Sequence, residues 1–198
     1  VALAVAVLLP FAGALLLGLL AIARAERPSE RLATVVLEAT LVLSLLGTAT
    51  VAALWLGAFG APVRGEVSYG DWLRLGSYYV PAVALVDAGS VALGLLGGML
   101  TLLVARFSRT YLHKEAGFLR FFVLLALFAS GVQLVAYAGA LDVMFAGWEL
   151  VGISSALFIG FFHERAEPIR SSVRAFAPYL LCDAGFLMAM VSVHEVLG

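Results

Sequence analysis

Six predominantly apolar stretches of about 20 residues, near 1–22, 34–58, 84–105, 121–139, 141–162 and 172–197, constrain this chain more than any other feature in it. A helix needs about that many residues to cross a hydrocarbon core roughly 30 Å thick. In lipid every backbone amide must also find its partner within the protein, which selects helices or closed barrels. With 63% hydrophobic and 13% charged residues among 198, the composition lies outside the range of soluble domains. The expected fold is an all-α polytopic membrane protein of about six transmembrane helices, solvated by the lipid bilayer. A net charge of −1 provides no basic field for nucleic acid. A single cysteine, Cys182, excludes an intrachain disulfide, and His113, His163 and His194 have no metal-ligating spacing. The first stretch lacks a basic leader and a cleavage signature, so it reads as a retained helix, and a start at Val1 suggests trimming.

Between the second and third stretches, residues 62–83 alternate in short pieces broken at Gly70 and Gly76, the pattern of a β-hairpin outside the membrane. Tyr69, Trp72, Tyr78 and Tyr79 suit an interfacial belt. Pro10 is expected to kink the first helix without ending it. Ser90, Gly94 and Gly98 recur every fourth residue on helix 3, as do Gly152, Ala156 and Gly160 on helix 5, and each set forms a seam that admits another backbone. A link as short as Gly139 and Ala140 forces helices 4 and 5 to be antiparallel. Of the 12 basic residues, only Arg64 and Arg74 lie in the links after helices 2 and 4. The remainder, Arg24, Arg27, Arg31, Arg106, Arg109, Lys114, Arg120, Arg165, Arg170 and Arg174, follow helices 1, 3 and 5. By the positive-inside bias those links face the cytoplasm, and the N-terminus and hairpin face the opposite side of a cell inner or plasma membrane.

The candidate functional residues are the ionisable groups inside these helices, because a carboxylate at the bilayer centre costs roughly 2.5–3.5 kcal/mol on insertion scales. Glu149 lies well inside helix 5. Two readings stand for it: a hydrogen-bonded tie between helices, or a proton acceptor sensitive to desolvation and to an approaching cation. Asp142, seven residues earlier, shares its helical face but lies nearer the membrane edge. Asp183 is inside helix 6 and needs a partner on another helix or a hydrated pocket. Arg174, nine residues before it, points to a different face, and Pro178 between them frees a backbone carbonyl. Glu38, near the start of helix 2, reads as snorkelling to the interface. The segment 163–170, HERAEPIR, reads as a solvated, self-paired turn. No phosphate loop, serine–histidine pair or set of haem, flavin or iron–sulfur ligands is visible, so no cofactor is expected. Charge movement across a membrane remains.

GWELVGISSALFIGF at 147–161, with RFFVLLALF at 120–128 before it and RAFAPYLLCD at 174–183 after it, resembles the antiporter-like subunits of NADH:quinone oxidoreductase (complex I). The likeness is to the large subunit 5 (L) type, which shares a superfamily with the large membrane subunit of Mrp cation/proton antiporters. LLPFAGALLLG, YGDWLRLG, LVDAGS and FSRTYLHKEAGFLRFF fall in the expected order. The resemblance implies part of a larger antiporter-like fold, with helices 1–3 and the hairpin in 1–120 and the start of a proton-translocation repeat in 121–198. It implies a subunit of a proton-translocating complex without a redox site of its own, partnered by other membrane subunits. Glu149 matches the fifth-helix glutamate that controls a lysine beyond this stretch, and Asp183 matches the sixth-helix acid. Arg174 stands where lysine is usual, which keeps the charge but not the ability to release a proton.

Other positions depart from the pattern. Leu180 replaces an arginine three residues before the sixth-helix acid, and Gly139 replaces an acid at the start of helix 5, a role Asp142 is placed to take. The loop FFHERAEP and the pair Cys182–Asp183 leave open a cation/proton antiporter, with sodium as the alternative ion, or the membrane subunit of an inorganic-carbon uptake system. A non-pumping structural membrane subunit is the reading from another class. The family's lysines, broken helices and lateral helix lie beyond the sixth helix, so the stretch to Gly198 is expected to be a fragment or to be completed by another chain.

Overall fold

The computed structural model describes residues 1–23, 29–75 and 78–197. Arg24, Arg27, Gly76 and Gly198, all used in the sequence reading, lie outside the described residues, as does the side chain of Tyr78. Six helices form: α1 (Ala2–Ala23), α2 (Glu30–Trp55), α3 (Ala88–Tyr111), α4 (Phe118–Tyr137), α5 (Leu141–Ile159) and α6 (Ala166–Leu197). Each is long and apolar enough to cross a membrane. Between α2 and α3, strands β1 (Gly65–Leu75) and β2 (Tyr78–Val86) pair antiparallel.

Local chemistry sets the ends of these elements. Ser29 caps α2 by accepting from the Leu32 amide at 3.3 Å, so this helix begins ahead of its apolar run, with Glu30 at the favourable positive end of the helix dipole. The apolar residues 84–86 were expected in helix 3 but belong to β2. Asp87 stops the strand and starts α3 through a reciprocal capping box: Asp87 Oδ1 accepts from the Ser90 amide at 2.7 Å, and Ser90 Oγ accepts from the Asp87 amide at 2.8 Å. The break expected at Gly70 is a bulge inside β1. There the register passes from Ser68 opposite Val83 to Asp71 opposite Pro81, with Gly70 at φ 93°. Pro81 has no amide hydrogen to offer, which suits an interrupted ladder. Helix α1 runs unbroken through Pro10, and α6 through Pro178. Most of the expected turn at 163–170 is helical, since α6 begins at Ala166 and Pro168 fits a first turn, where no amide donor is needed.

Helices α1 to α4 close into a bundle, α5 packs on α4, and α6 packs on α5. One core cluster centres on Leu17, Leu37, Phe118, Phe122 and Leu125, and a second near the hairpin on Leu3, Val51, Val86 and Tyr137. The α4–α5 pair is as close as its short link requires. A methyl on Gly147 would lie 2.9 Å from the Val135 backbone nitrogen, and one on Gly131 2.8 Å from the Gly147 carbonyl.

The two ends of the bundle differ in chemistry. At one end, Val1 to Leu3 share a cleft with Val67, Tyr69 and Val86 of the hairpin. There the α4–α5 link is stitched to β2: the Gly139 amide donates to the Val83 carbonyl at 3.0 Å, and Ala138 pairs with Ala84. At the other end, Glu30 meets His113 at 2.7 Å and accepts from the Lys114 amide at 2.9 Å. Glu38 reaches Arg109 at 3.5 Å, so it gains a cation partner as well as the interface. Arg120 donates to the Phe161 carbonyl at 2.6 Å and lies 3.0 Å from His163 Nδ1.

Candidate functional site

The α5–α6 contact brings together one intramembrane acid and a set of aromatic side chains. Its closeness comes from the small-residue face of α5. Gly160 and Ala156 lie against Ser172, whose hydroxyl donates to the Ala156 carbonyl at 2.6 Å. Gly152 lies directly under the Tyr179 ring, where any Cβ would collide with it. The small-residue seam of helix 5 therefore serves α6. That of helix 3 serves α4 and α2, with Gly94 against Tyr137 and Gly98 against Leu45 and Gln133.

Tyr179 lies over Trp148, with ring centroids 6.0 Å apart and planes 11° from parallel. Its hydroxyl donates to the Trp148 carbonyl at 2.7 Å. Trp148 is thereby held with its indole N–H directed at α6, where it donates to Asp183 Oδ1 at 2.9 Å. Phe186 packs against Trp148 and Phe145 from the other side. Asp183 is 5% exposed on a helix whose neighbouring positions are mostly open. Its second oxygen, Oδ2, has no partner among the described residues. The partner that Asp183 required on another helix is thus a neutral donor.

Glu149 follows Trp148 in sequence but faces a different space. It is half-buried and lines a groove of about 720 Å³ between α1, the hairpin, α4 and α5, bounded by Leu8, Phe11, Trp72, Val83, Tyr137 and Ile153, among others. The lining is apolar apart from Glu149 and the polar tips of its aromatics, and Glu149 makes no ion pair with a basic side chain among the described residues. Asp142 is in the first turn of α5, where a carboxylate complements the helix dipole, and it is not part of the groove lining. Arg174 is exposed on α6 and forms no ion pair among the described residues. Of the four sequence candidates, then, the structure seats Asp183 at the α5–α6 contact and Glu149 on the groove beside α4, and places Asp142 and Arg174 at neither.

Trp148 and Tyr179 were missed because the sequence reading weighed charges and treated aromatics as packing. A usable signal was present: Tyr179 and Asp183 are four apart on α6, and Trp148 and Gly152 are four apart on α5, so each pair shares a helical face. Gly139 also gains a physical reason. A side chain there would meet Val83 Cγ1 at 2.8 Å and the backbone of Val83 and Ala84 at 3.0 Å. An acid is excluded at this position by the hairpin that packs on it. Among the described residues no cluster of His, Cys, Asp and Glu is arranged to hold a metal ion.

Residues 72–122, from β1 through α3 into α4, match the family of the NADH-ubiquinone oxidoreductase (complex I) chain 5 N-terminus. The chain is 28% identical over 165 residues to NAD(P)H-quinone oxidoreductase chain 5 of Picosynechococcus sp., covering 82% of this chain and 24% of that one. It is 29% identical over 193 residues to the chloroplastic subunit 5 of Zygnema circumcarinatum, covering 96% and 27%. With NADH-quinone oxidoreductase subunit L of Neisseria meningitidis it shares 27% identity over 194 residues, covering 96% and 28%. The chain spans about a quarter of the length of these curated relatives. With the six apolar helices and the hairpin, these matches make the chain similar to the antiporter-like subunits of complex I.

Proposed function

We propose that this chain contributes the first helices of a proton-translocating membrane subunit in a complex of the NADH:quinone oxidoreductase type. The observation that supports this reading best is that two intramembrane carboxylates, Glu149 and Asp183, lie in neutral surroundings with no basic partner among the described residues. An acid buried without a counter-charge must take up a proton or meet a mobile cation, and either event couples its protonation to its neighbours. Glu149 is the coupling carboxylate on this reading, and Asp183 is a relay held in place by Trp148. A basic group that reaches Glu149 is supplied from outside the stretch described here, by another part of the subunit or by a neighbouring one. Asp142 serves the entrance of α5, and Arg174 marks the cytoplasmic approach to α6. Residues 1–120 act as the supporting bundle and 121–198 as the start of the translocating unit. The N-terminus and hairpin face the non-cytoplasmic side, as the distribution of basic residues indicates.

The test is proton flux in vesicles holding the intact complex, comparing native protein with Glu149→Gln at matched assembly. Loss of flux with assembly retained supports the proposal. Unchanged flux makes the chain a non-pumping structural subunit, the reading favoured by Arg174 and Leu180. Flux that requires sodium moves the assignment to cation/proton exchange.

A further inference from the structure

Away from the acids, the contact between α2, α3 and α4 buries a group of polar side chains deep in the bundle. Thr48 is fully buried, and Gln133 and Tyr137 are each 2% exposed. The Thr48 hydroxyl donates to the Ser44 carbonyl at 3.0 Å, and Gln133 Nε2 donates to the Gly94 carbonyl at 3.1 Å. Two polar atoms remain without a partner among the described residues, Gln133 Oε1 and the Tyr137 hydroxyl. They belong to side chains four residues apart on α4, hence on one face, and both converge on Gly94. Its carbonyl takes the amide, and a methyl on it would lie 2.8 Å from the phenol oxygen. Thr48 comes from α2 to the edge of hydrogen-bonding reach of the same phenol, without the geometry of a direct bond.

We propose that this seam binds one water molecule, which donates to Gln133 Oε1, accepts from the Tyr137 hydroxyl and donates its second hydrogen to Thr48 Oγ1. The donor and acceptor types match without remainder. An amide oxygen only accepts, the phenol can donate, and Thr48 Oγ1 keeps lone pairs after spending its hydrogen on Ser44. Three bonds is the usual number for a buried water. A metal cation is disfavoured, because the groups around this point are neutral and a desolvated charge among them has no counter-ion. The water ties α4 to α2 and α3, and it fixes Tyr137, which also lines the groove that holds Glu149.

Two measurements on the intact membrane complex test the site. At a resolution where ordered waters are visible, a density peak within hydrogen-bonding distance of both Gln133 Oε1 and the Tyr137 oxygen is the expected result. Both side chains resolved with no peak, in direct contact with each other, or with the phenol bonded directly to Thr48, overturn the proposal. Thermal unfolding of Tyr137→Phe, Gln133→Met and the double variant gives the second test. Each single change is expected to lower the midpoint by a few degrees, and the double variant to lower it by little more than one single, since both lose the same water. A midpoint that stays or rises in Tyr137→Phe shows a hydroxyl with no partner to lose, and strictly additive shifts show two unrelated contacts. Either result excludes the shared water.

Discussion

The bundle of α1 to α4 and the pair α5–α6 are built from similarly apolar helices, yet they are held in different ways. Half of the most apolar window of α4 is buried within the chain, against 6% of that of α6. In water such exposure would be a defect, but lipid solvates leucine as well as a protein interior does, so helices associate there through close packing and hydrogen bonds. The bundle has extensive packing and two core clusters. The α5–α6 pair has a glycine under a tyrosine ring, a serine on a backbone carbonyl and an indole on a carboxylate. The acids lie where packing is sparse and hydrogen bonds are specific, which separates the residues that hold the fold from those proposed to carry its chemistry.

Substitutions can break or sharpen that division. Phe122→Ala, in the fully buried core of the bundle, is expected to cost about 3 kcal/mol in unfolding experiments. Flux per assembled complex should be unchanged, and a fall in that quantity would mean the bundle takes part in transport. Gly147→Ala lies on the boundary between the two regions. The clash with the Val135 backbone should destabilise by about 2 kcal/mol, and here flux should fall too, because α5 is displaced with its acid. Trp148→Phe keeps the ring over Tyr179 but removes the donor to Asp183. A hydrogen bond to a charged group is worth about a factor of ten, so flux should drop by that much with assembly intact. Asp87→Ala removes the capping box of α3 and should cost about 1 kcal/mol, read as a lower unfolding midpoint with normal flux per complex.

Much of this was legible in the sequence for physical reasons. Six spans, the antiparallel α4–α5 pair and the two small-residue seams follow from length, link and period, which lipid enforces strictly. Residues 84–86 were misassigned because a short apolar run suits a strand and a helix equally, and only Asp87 with Ser90 decides between them. The start of α6 was hidden in HERAEPIR, whose polarity imitates a turn while Pro168 favours a first helical turn. Glu149 and Asp183 stood out because charge in a membrane is costly. Trp148 did not, since an apolar ring with a single donor looks like packing until the partner helix is placed beside it. Gly139 looked like a missing acid until the hairpin occupied the space a side chain would need.

That stitch between β2 and the α4–α5 link has a practical use. Because the Gly139 amide is bonded to the Val83 carbonyl and Ala138 is paired with Ala84, the ribbon at the membrane surface and the helix that carries Glu149 are joined through backbone. A tilt of α5 should swing the ribbon as a pointer swings on its spindle. A spin label at Arg74 would then report, from the water-facing side, each displacement of an acid buried in the bilayer.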